Sequence, residues 1–226
     1  MGYNSFYPWA KCDILHEFSI FTTSDQVKNF RHVQALSRYG IETHIVVIPC
    51  SYDELVCKNC QNEKPLCFFY ETLFTKLGVR FPLSLFERGI LNMMNVAPTQ
   101  LHPNSWAFVH AFQILCIHFV IDPTSDMFFY FFEFRPSKRI SWASLKGASG
   151  RGLLSLFQSS YKSFKGKFLK ITRDFPDSDL LEGFPLYWSS HPKSQTSRAL
   201  DTLEVMKLIA AKCSTNWVSY LKRPFF

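Results

Sequence analysis

Residues 91–106 read LNMMNVAPTQLHPNSW and lie between two stretches whose apolar residues recur at helical spacing. The first stretch, residues 82–94, predicts an amphipathic helix. Pro98 and Pro103 have a fixed φ and no amide donor, so a helix must end before the first and another can begin at the second. We therefore predict a second helix from Pro103 to about Val120, with a rigid turn between the two helices.

The polar and aromatic residues of this turn favour a structural role. Asn95 or Asn104 can cap a helix end. Trp106 is too large to remain exposed at a helix start, so we expect it to pack. The competing hypothesis gives His102 and Asn104 a ligand-binding or catalytic role. The structural interpretation predicts that Trp106→Ala destabilises the fold and that His102→Ala is close to neutral.

Further helices are predicted on both sides of the turn. They span residues 25–39, 68–77, 128–134 and 198–212, and Thr23 or Ser24 can cap the first. Short turns containing proline join the helices of the middle region. The simplest packing of this region is therefore three antiparallel helices.

Strands are predicted mainly in the second half of the chain. Short β-branched or apolar runs indicate strands at 44–48, 140–145, 153–157 and 184–188, with a turn at 146–152. Residues 161–173 fit either a helix or a strand at 168–172. Polar residues predict a loop at 51–65 and a linker at 190–195. We expect an α+β fold, a helix-rich domain with a small antiparallel sheet in the C-terminal half.

Composition indicates a folded chain. The 226 residues are 47% hydrophobic and 19% charged, which excludes a disordered or collagen-like chain. The 24 phenylalanines predict either a packed core or a surface on which other rings stack.

The positive charge is concentrated in one stretch. Residues 135–173 contain ten Lys or Arg and no Asp or Glu, whereas the other 187 residues carry 15 basic and 18 acidic side chains. Such a stretch is either a solvated basic face or a contact for a polyanion such as RNA or DNA. The candidate nucleic-acid contacts are Arg139, Lys146, Arg151, Lys162, Lys165, Lys167 and Lys170.

Aromatic residues alternate with the lysines at the end of this stretch. Tyr161, Phe164 and Phe168 can stack on bases if they are exposed. Because phenylalanine is abundant throughout the chain, burial of these rings is the favoured interpretation.

Four of the seven cysteines have a spacing that suggests either zinc or buried thiols. Cys50, Cys57, Cys60 and Cys67 follow the pattern C-x6-C-x2-C-x6-C, and zinc takes four such ligands. The outer two cysteines stand alone, however, and Cys67 leads into an apolar run. We favour reduced structural cysteines and assign no metal or cofactor.

No catalytic constellation is present. The sequence has no G-x-S-x-G elbow, and residues 147–152 lack the Gly-Lys-Ser/Thr ending of a phosphate loop. The carboxylates are scattered, and His110 and His118 fall on an apolar helix where core histidines are common. We therefore predict that the protein is not an enzyme, and no small-molecule substrate is identified.

The start of the chain and its cysteines predict an intracellular location, with nucleus and cytoplasm not distinguished. The N-terminal residues lack the basic and apolar regions of a signal peptide. The most apolar stretch, residues 106–121, is shorter than the roughly 20 residues that span a membrane, so no membrane contact is expected.

Residues 95–106, NVAPTQLHPNSW, carry a family resemblance together with CFFYE at 67–71, SW at 141–142 and FPLYW at 184–188. The sequence resembles the plant family described as "putative gypsy-type transposon", found in retrotransposon-derived reading frames. The resemblance covers roughly residues 20–190.

The resemblance implies a division of the chain and a function class. Residues 1–19 are an irregular segment, residues 20–190 are the family domain, helical over 20–134 with a small sheet over 139–190, and residues 191–226 are a linker and a C-terminal helix. It implies a non-enzymatic structural or interaction protein, gag-region-like or accessory, whose partners are copies of itself or other retroelement proteins. The alternative is a nucleic-acid-binding module that uses residues 135–173.

Overall fold

The computed structural model describes residues 7–31, 45–59, 65–136, 141–151, 153, 161–173 and 181–196. In these residues, five α-helices and two antiparallel sheets follow a short 3-10 turn, Ile14–His16. The helices are α1 Ser24–Arg31, α2 Glu71–Thr75, α3 Leu85–Met94, α4 Pro103–His118 and α5 Ser125–Phe131. The strands are β1 Ile45–Ile48, β2 Leu66–Tyr70, β3 Phe132–Phe134, β4 Leu145–Gly147 and β5 Phe168–Arg173. The α+β class is confirmed, but strands come from both halves of the chain.

The first helix begins where its capping residue predicts. The hydroxyl of Thr23 accepts a hydrogen bond from the amide of Gln26 at 3.4 Å, and the side chain of Gln26 accepts from the amides of Thr22 and Thr23. These contacts satisfy amides that have no partner inside the helix. The predicted remainder of this helix, residues 32–39, lies outside the described residues.

The larger sheet has the order β1-β5-β2, with β5 antiparallel to both neighbours. Lys170 of β5 lies opposite Ile48 of β1 and Phe68 of β2. The prediction of a strand at 44–48 is confirmed, and of the two structures predicted for residues 161–173 the strand is the one observed.

The predicted helix at 68–77 is wrong in its first turn. Residues 66–70 form β2, all five of them buried, and the helix begins only at Glu71. Short apolar runs fit a buried strand and a buried helix equally well. Pairing with β5 decides between them, because it satisfies the backbone of β2 inside the core.

Helices α3 and α4 confirm the predicted pair around the turn. Ser84 and Glu87 form a capping box at the start of α3, which moves the observed start beyond Pro82. Asn95 ends α3 with a φ of 50°. The α4 helix has Pro103 in its first turn, as predicted, and the amide of Gln113 donates to the Ser84 hydroxyl at 3.0 Å.

The smaller sheet differs from the predicted hairpin. Residues 132–134 were expected to extend the preceding helix, but they form β3 and pair with β4. The predicted strand at 140–145 begins only at Leu145. Residues 154–157 of its predicted partner lie outside the described residues. Burial of Phe132 and Phe134 against the core favours the alternation of a strand over a further helical turn.

The last described segment packs on the core without regular structure. No strand is found at 184–188, although Phe184 and Trp188 are buried. The predicted linker residues are polar but held in place, since Gln195 exchanges two backbone hydrogen bonds with Phe134. The predicted helix at 198–212 lies outside the described residues.

Most of the aromatic residues serve the core. The largest fully buried side chains include Trp106, Tyr70, Phe69, Phe81, Phe112 and Phe128. Phe112 and Phe128 meet edge to face at 5.5 Å, an arrangement that stabilises aromatic pairs. Of the two interpretations of the phenylalanine content, the packed core is the one observed.

Candidate nucleic-acid interface

The predicted nucleic-acid contacts differ widely in exposure. Lys146, Arg151, Lys162 and Lys167 are exposed, and Lys165 is half-buried. Lys170 is buried, and Arg139 lies outside the described residues. The seven residues therefore do not form one uniform cationic surface.

Carboxylates from outside the basic stretch neutralise several of these lysines. The ammonium of Lys146 lies 2.9 Å from Glu133, and that of Lys165 lies 3.2 Å from Glu17. Lys167 lies 3.9 Å from Glu71. The hydrogen bond from Lys146 holds the pKa of the Glu133 carboxyl below its usual range. These cations are less available to phosphate than their clustering in the sequence suggests.

Lys170 is part of a buried ion pair. Its ammonium lies 2.5 Å from the carboxylate of Glu54, whose side chain is completely buried. The same carboxylate accepts a hydrogen bond from the amide of Ser51 at 2.9 Å and contacts the ammonium of Lys58 at 3.3 Å. Because Lys170 faces this carboxylate inside the protein, we leave it out of the proposed contacts.

The aromatic residues of the stretch are mostly buried. Phe164 and Phe168 are 5% and 0% exposed, and their rings contact Tyr70 and Phe68 edge to face. These two rings are not available for stacking. Tyr161 is half-buried, and burial raises the pKa of its hydroxyl.

Two other aromatic residues lie beside cations, and the sequence did not identify them as contacts. The Lys165 ammonium lies 4.5 Å from the ring centre of Trp142. The Arg151 guanidinium lies 4.6 Å from that of Tyr130. The face of an aromatic ring attracts a cation at such a distance. Arg151 and Tyr130 are 21 residues apart, so no local pattern could have revealed the pair.

The residues of the 95–106 turn hold the protein together internally. The indole N–H of Trp106 donates to the carbonyl of Pro98 at 2.9 Å. The side chain of Gln100 donates to the carbonyl of Ser189 and accepts from its amide, both at 2.9 Å. The side-chain amide of Asn95 donates to the Ser189 hydroxyl at 2.8 Å. These contacts fix the turn against the last described segment.

His102 and Asn104, the candidates for a binding role, also make internal contacts. The ring nitrogen Nδ1 of His102 accepts from the amide of Asn104 at 3.0 Å and caps α4. The side-chain carbonyl of Asn104 accepts from the amide of Tyr161 at 3.1 Å. Burial, together with the charge of Lys165, lowers the pKa of His102. Both side chains have structural partners, but the cap of α4 is His102 and not the predicted Asn104, whose side chain binds Tyr161.

The cysteines are free thiols in the described part of the chain. Cys50, Cys57 and Cys67 are buried, whereas Cys12 is exposed. Burial raises the pKa of Cys50 and of Cys57 to about 12. In the described residues no three His, Cys, Asp or Glu side chains are grouped as metal ligands, and Cys60 lies outside these residues.

Comparison with known proteins identifies one family. The model of a family described as "putative gypsy type transposon" matches residues 68–136. The predicted gypsy-type family is confirmed for this segment, which is shorter than the predicted extent of residues 20–190. We call residues 68–136 the gypsy-type segment. No curated protein and no solved structure matches the chain.

The gypsy-type segment contributes mainly to the core and little to the basic stretch. It contains the last three residues of β2 and all of α2, α3, α4, α5 and β3. It supplies Glu71 and Glu133, the partners of Lys167 and Lys146, while both lysines follow it in the sequence. No helix in the described residues is long and apolar enough to cross a membrane.

Proposed function

We propose that this chain is a non-enzymatic structural or interaction protein derived from a gypsy-type retroelement. The observation that carries the proposal is that the polar side chains of the 95–106 turn form hydrogen bonds within the protein. Asn95, Gln100, His102 and Asn104 each bond to the backbone or side chains of this same protein. The most distinctive residues of the gypsy-type segment thus stabilise the fold.

The buried polar groups elsewhere support the same proposal. Glu87 serves in the capping box of α3, and Glu54 is bound to Lys170. Two-metal phosphoryl transfer needs carboxylates that converge on ions about 4 Å apart. Within the described residues no such group is found. Asp174, Asp177 and Asp179 lie outside those residues.

An assay for DNA cleavage and strand transfer tests this proposal. The full chain is incubated with labelled DNA ends and Mg²⁺ or Mn²⁺, beside an active integrase as a positive control. We expect no product above a protein-free reaction. Product formation that disappears when a single carboxylate of the chain is changed to its amide would overturn the proposal.

Nucleic-acid binding is a second candidate, favoured by the exposed Arg151 and Lys162. Among the described residues, neither Lys162 nor Arg151 has an acidic partner, and the Arg151 guanidinium lies over the ring of Tyr130. If these cations contact phosphates, log Kobs for a duplex falls against log[salt] with a slope of about −0.9 per contact. A slope near zero, or no binding at low salt, would exclude this candidate.

A further inference from the structure

A small open pocket lies beside the basic stretch and includes residues from distant parts of the chain. Its volume is about 240 Å³. Two of its walls are residues 134–136 and 141–144. Lys11 and Pro192 complete the lining. Lys11 is more than 120 positions before the basic stretch, so the pocket exists only in the folded protein.

The lining of the pocket is cationic. The described residues that line it include Lys11 and Arg135 and no aspartate or glutamate. Arg135 forms one exposed ion pair, 3.4 Å from Glu133, and its side chain remains 66% exposed. Lys11 has no acidic partner among the described residues. An anion is therefore the ligand that this charge favours.

The aromatic wall of the pocket is held rigidly. The indole N–H of Trp142 donates to the hydroxyl of Tyr70 at 2.8 Å, and its ring centre lies 6.0 Å from that of Trp188 in an edge-to-face contact. The Lys165 ammonium lies 4.5 Å from the same ring centre and adds a third cation beside the pocket. A wall that is already ordered costs little conformational entropy when a ligand binds.

The backbone beside Trp142 is fixed as well. The amide of Ala143 donates to the carbonyl of Gln100 at 2.7 Å, and its carbonyl accepts from the amide of His102 at 2.9 Å. Phe134 is bonded at both backbone groups to Gln195. The turn of residues 95–106 thus supports one side of the pocket.

We propose that this pocket binds one unpaired nucleotide of single-stranded RNA or DNA. Lys11 and Arg135 bind its phosphate, and its base lies against the side chain of Trp142. The hydroxyls of Ser141 and Ser144 are the polar groups beside the base. Base stacking on an aromatic side chain next to paired cations is the usual chemistry of single-strand binding.

The pocket is smaller than a site that encloses a whole ligand, so it fits part of a nucleotide whose strand continues outside it. Sites for drug-sized ligands enclose roughly 300–1,000 Å³, more than this cavity offers. An acidic peptide would satisfy the cations but would not use the aromatic surface that Trp142 contributes to the lining. This inference takes one element from the proposed function: the protein binds the nucleotide and does not cleave it.

Fluorescence anisotropy with labelled 12-nucleotide oligo(U) and oligo(dT) tests the proposal on the full chain. The double variant Lys11→Glu with Arg135→Glu removes the pocket cations. The matched control, Lys28→Glu with Lys76→Glu, makes the same charge change at exposed residues that do not line the pocket. Circular dichroism of each variant verifies that the fold is retained.

We expect the pocket variant to lose about tenfold in affinity at constant salt. Its slope of log Kobs against log[salt] becomes shallower by about 1.4, which corresponds to two single-strand phosphate contacts. The control keeps the slope of the unmodified protein, and Lys11→Arg with Arg135→Lys retains binding.

Three results would overturn the proposal. They are no binding of either oligonucleotide at 50 mM salt, equal losses in the pocket and control variants, and binding of an acidic peptide in place of the oligonucleotides. A comparison of oligo(U) with oligo(dT) distinguishes RNA from DNA as the source of the nucleotide. Gel analysis of the recovered oligonucleotide reports cleavage separately, so failure of this proposal is distinguishable from failure of the non-enzymatic proposal.

Discussion

At the scale of single residues, Trp106 shows how one side chain fixes the turn between α3 and α4. It is 1% exposed and donates its indole N–H to Pro98 eight residues earlier. The buried ring fills the space beside the turn, and the hydrogen bond satisfies the one polar atom that burial would otherwise leave unpaired. Packing and hydrogen bonding therefore depend on each other at this residue.

Trp106→Ala is expected to lower the free energy of unfolding by roughly 3–5 kcal/mol. The loss combines the buried area of the ring with the cavity that remains. Urea denaturation measures it, and Ile117→Ala on the same helix serves as the control, because Ile117 is 65% exposed. The packing role is wrong if both variants unfold at the same urea concentration as the unmodified protein.

His102 gives a pH-dependent prediction at the same scale. Its pKa is lowered in the folded protein, so the unfolded chain takes up a proton more readily. Stability is therefore lost as the pH falls through the ordinary histidine pKa of about 6.5. His102→Asn keeps a capping side chain but does not titrate, and we expect its free energy of unfolding to be less sensitive to pH in this range.

Denaturation at pH values from about 5.5 to 7.5 compares the two proteins. A constant difference between them across this range would contradict the lowered pKa. His102→Ala also removes the cap of α4, so we expect a loss of about 0.5–2 kcal/mol. This replaces the nearly neutral effect expected from the sequence.

At the scale of secondary-structure elements, the pair of Glu54 and Lys170 joins the loop after β1 to the central strand β5. Both residues are buried, and the Glu54 carboxylate also accepts the amide of Ser51. A buried charge is tolerated only when a partner and further hydrogen bonds compensate it. The position of the loop is therefore coupled to the sheet.

Lys170→Met is expected to lower the free energy of unfolding by up to about 3–5 kcal/mol, because it removes the nearest cation from the buried Glu54 carboxylate and leaves only Lys58 and the Ser51 amide as partners. Lys146→Met removes a lysine from an exposed pair with Glu133 and is the matched control, with an expected loss of about 0–1 kcal/mol. Thermal or urea unfolding measures both. Equal losses in the two variants would show that the Glu54 pair is not a buried interaction.

At the scale of the whole molecule, burial separates the cysteines by reactivity. Cys50, Cys57, Cys67 and Cys116 are buried, and Cys12 is exposed. The thiolate is the reactive form of cysteine, and burial raises the pKa of Cys50 and Cys57 to about 12. The folded protein should therefore protect four of these five thiols.

We expect an alkylating reagent to modify Cys12 in the native protein and the four buried cysteines only after unfolding. Peptide mapping by mass spectrometry assigns each modified thiol. A zinc chelator should leave this pattern unchanged if the cysteines are structural. Modification of Cys50, Cys57 or Cys67 only after chelation would instead support the zinc hypothesis.

Local sequence patterns were sufficient for the helices around the turn. Ser84, Pro103 and Asn95 act at the helix ends, and capping and fixed φ are properties of a few neighbouring residues. The strand of residues 44–48 followed in the same way from its β-branched residues. The family resemblance was likewise carried by short continuous stretches, above all residues 95–106.

Only the tertiary structure decided the features that depend on contacts between residues distant in the sequence. Residues 66–70 became a strand because β5, a hundred positions later, pairs with them. Part of the positive charge of the basic stretch is compensated, because Glu17, Glu54 and Glu71 form ion pairs with its lysines. Sheet pairing and ion pairing join residues that are far apart in the sequence, so no local pattern contains them. The sequence by itself determined the turn between α3 and α4, and the fold determined which apolar runs became strands and which charges remain free.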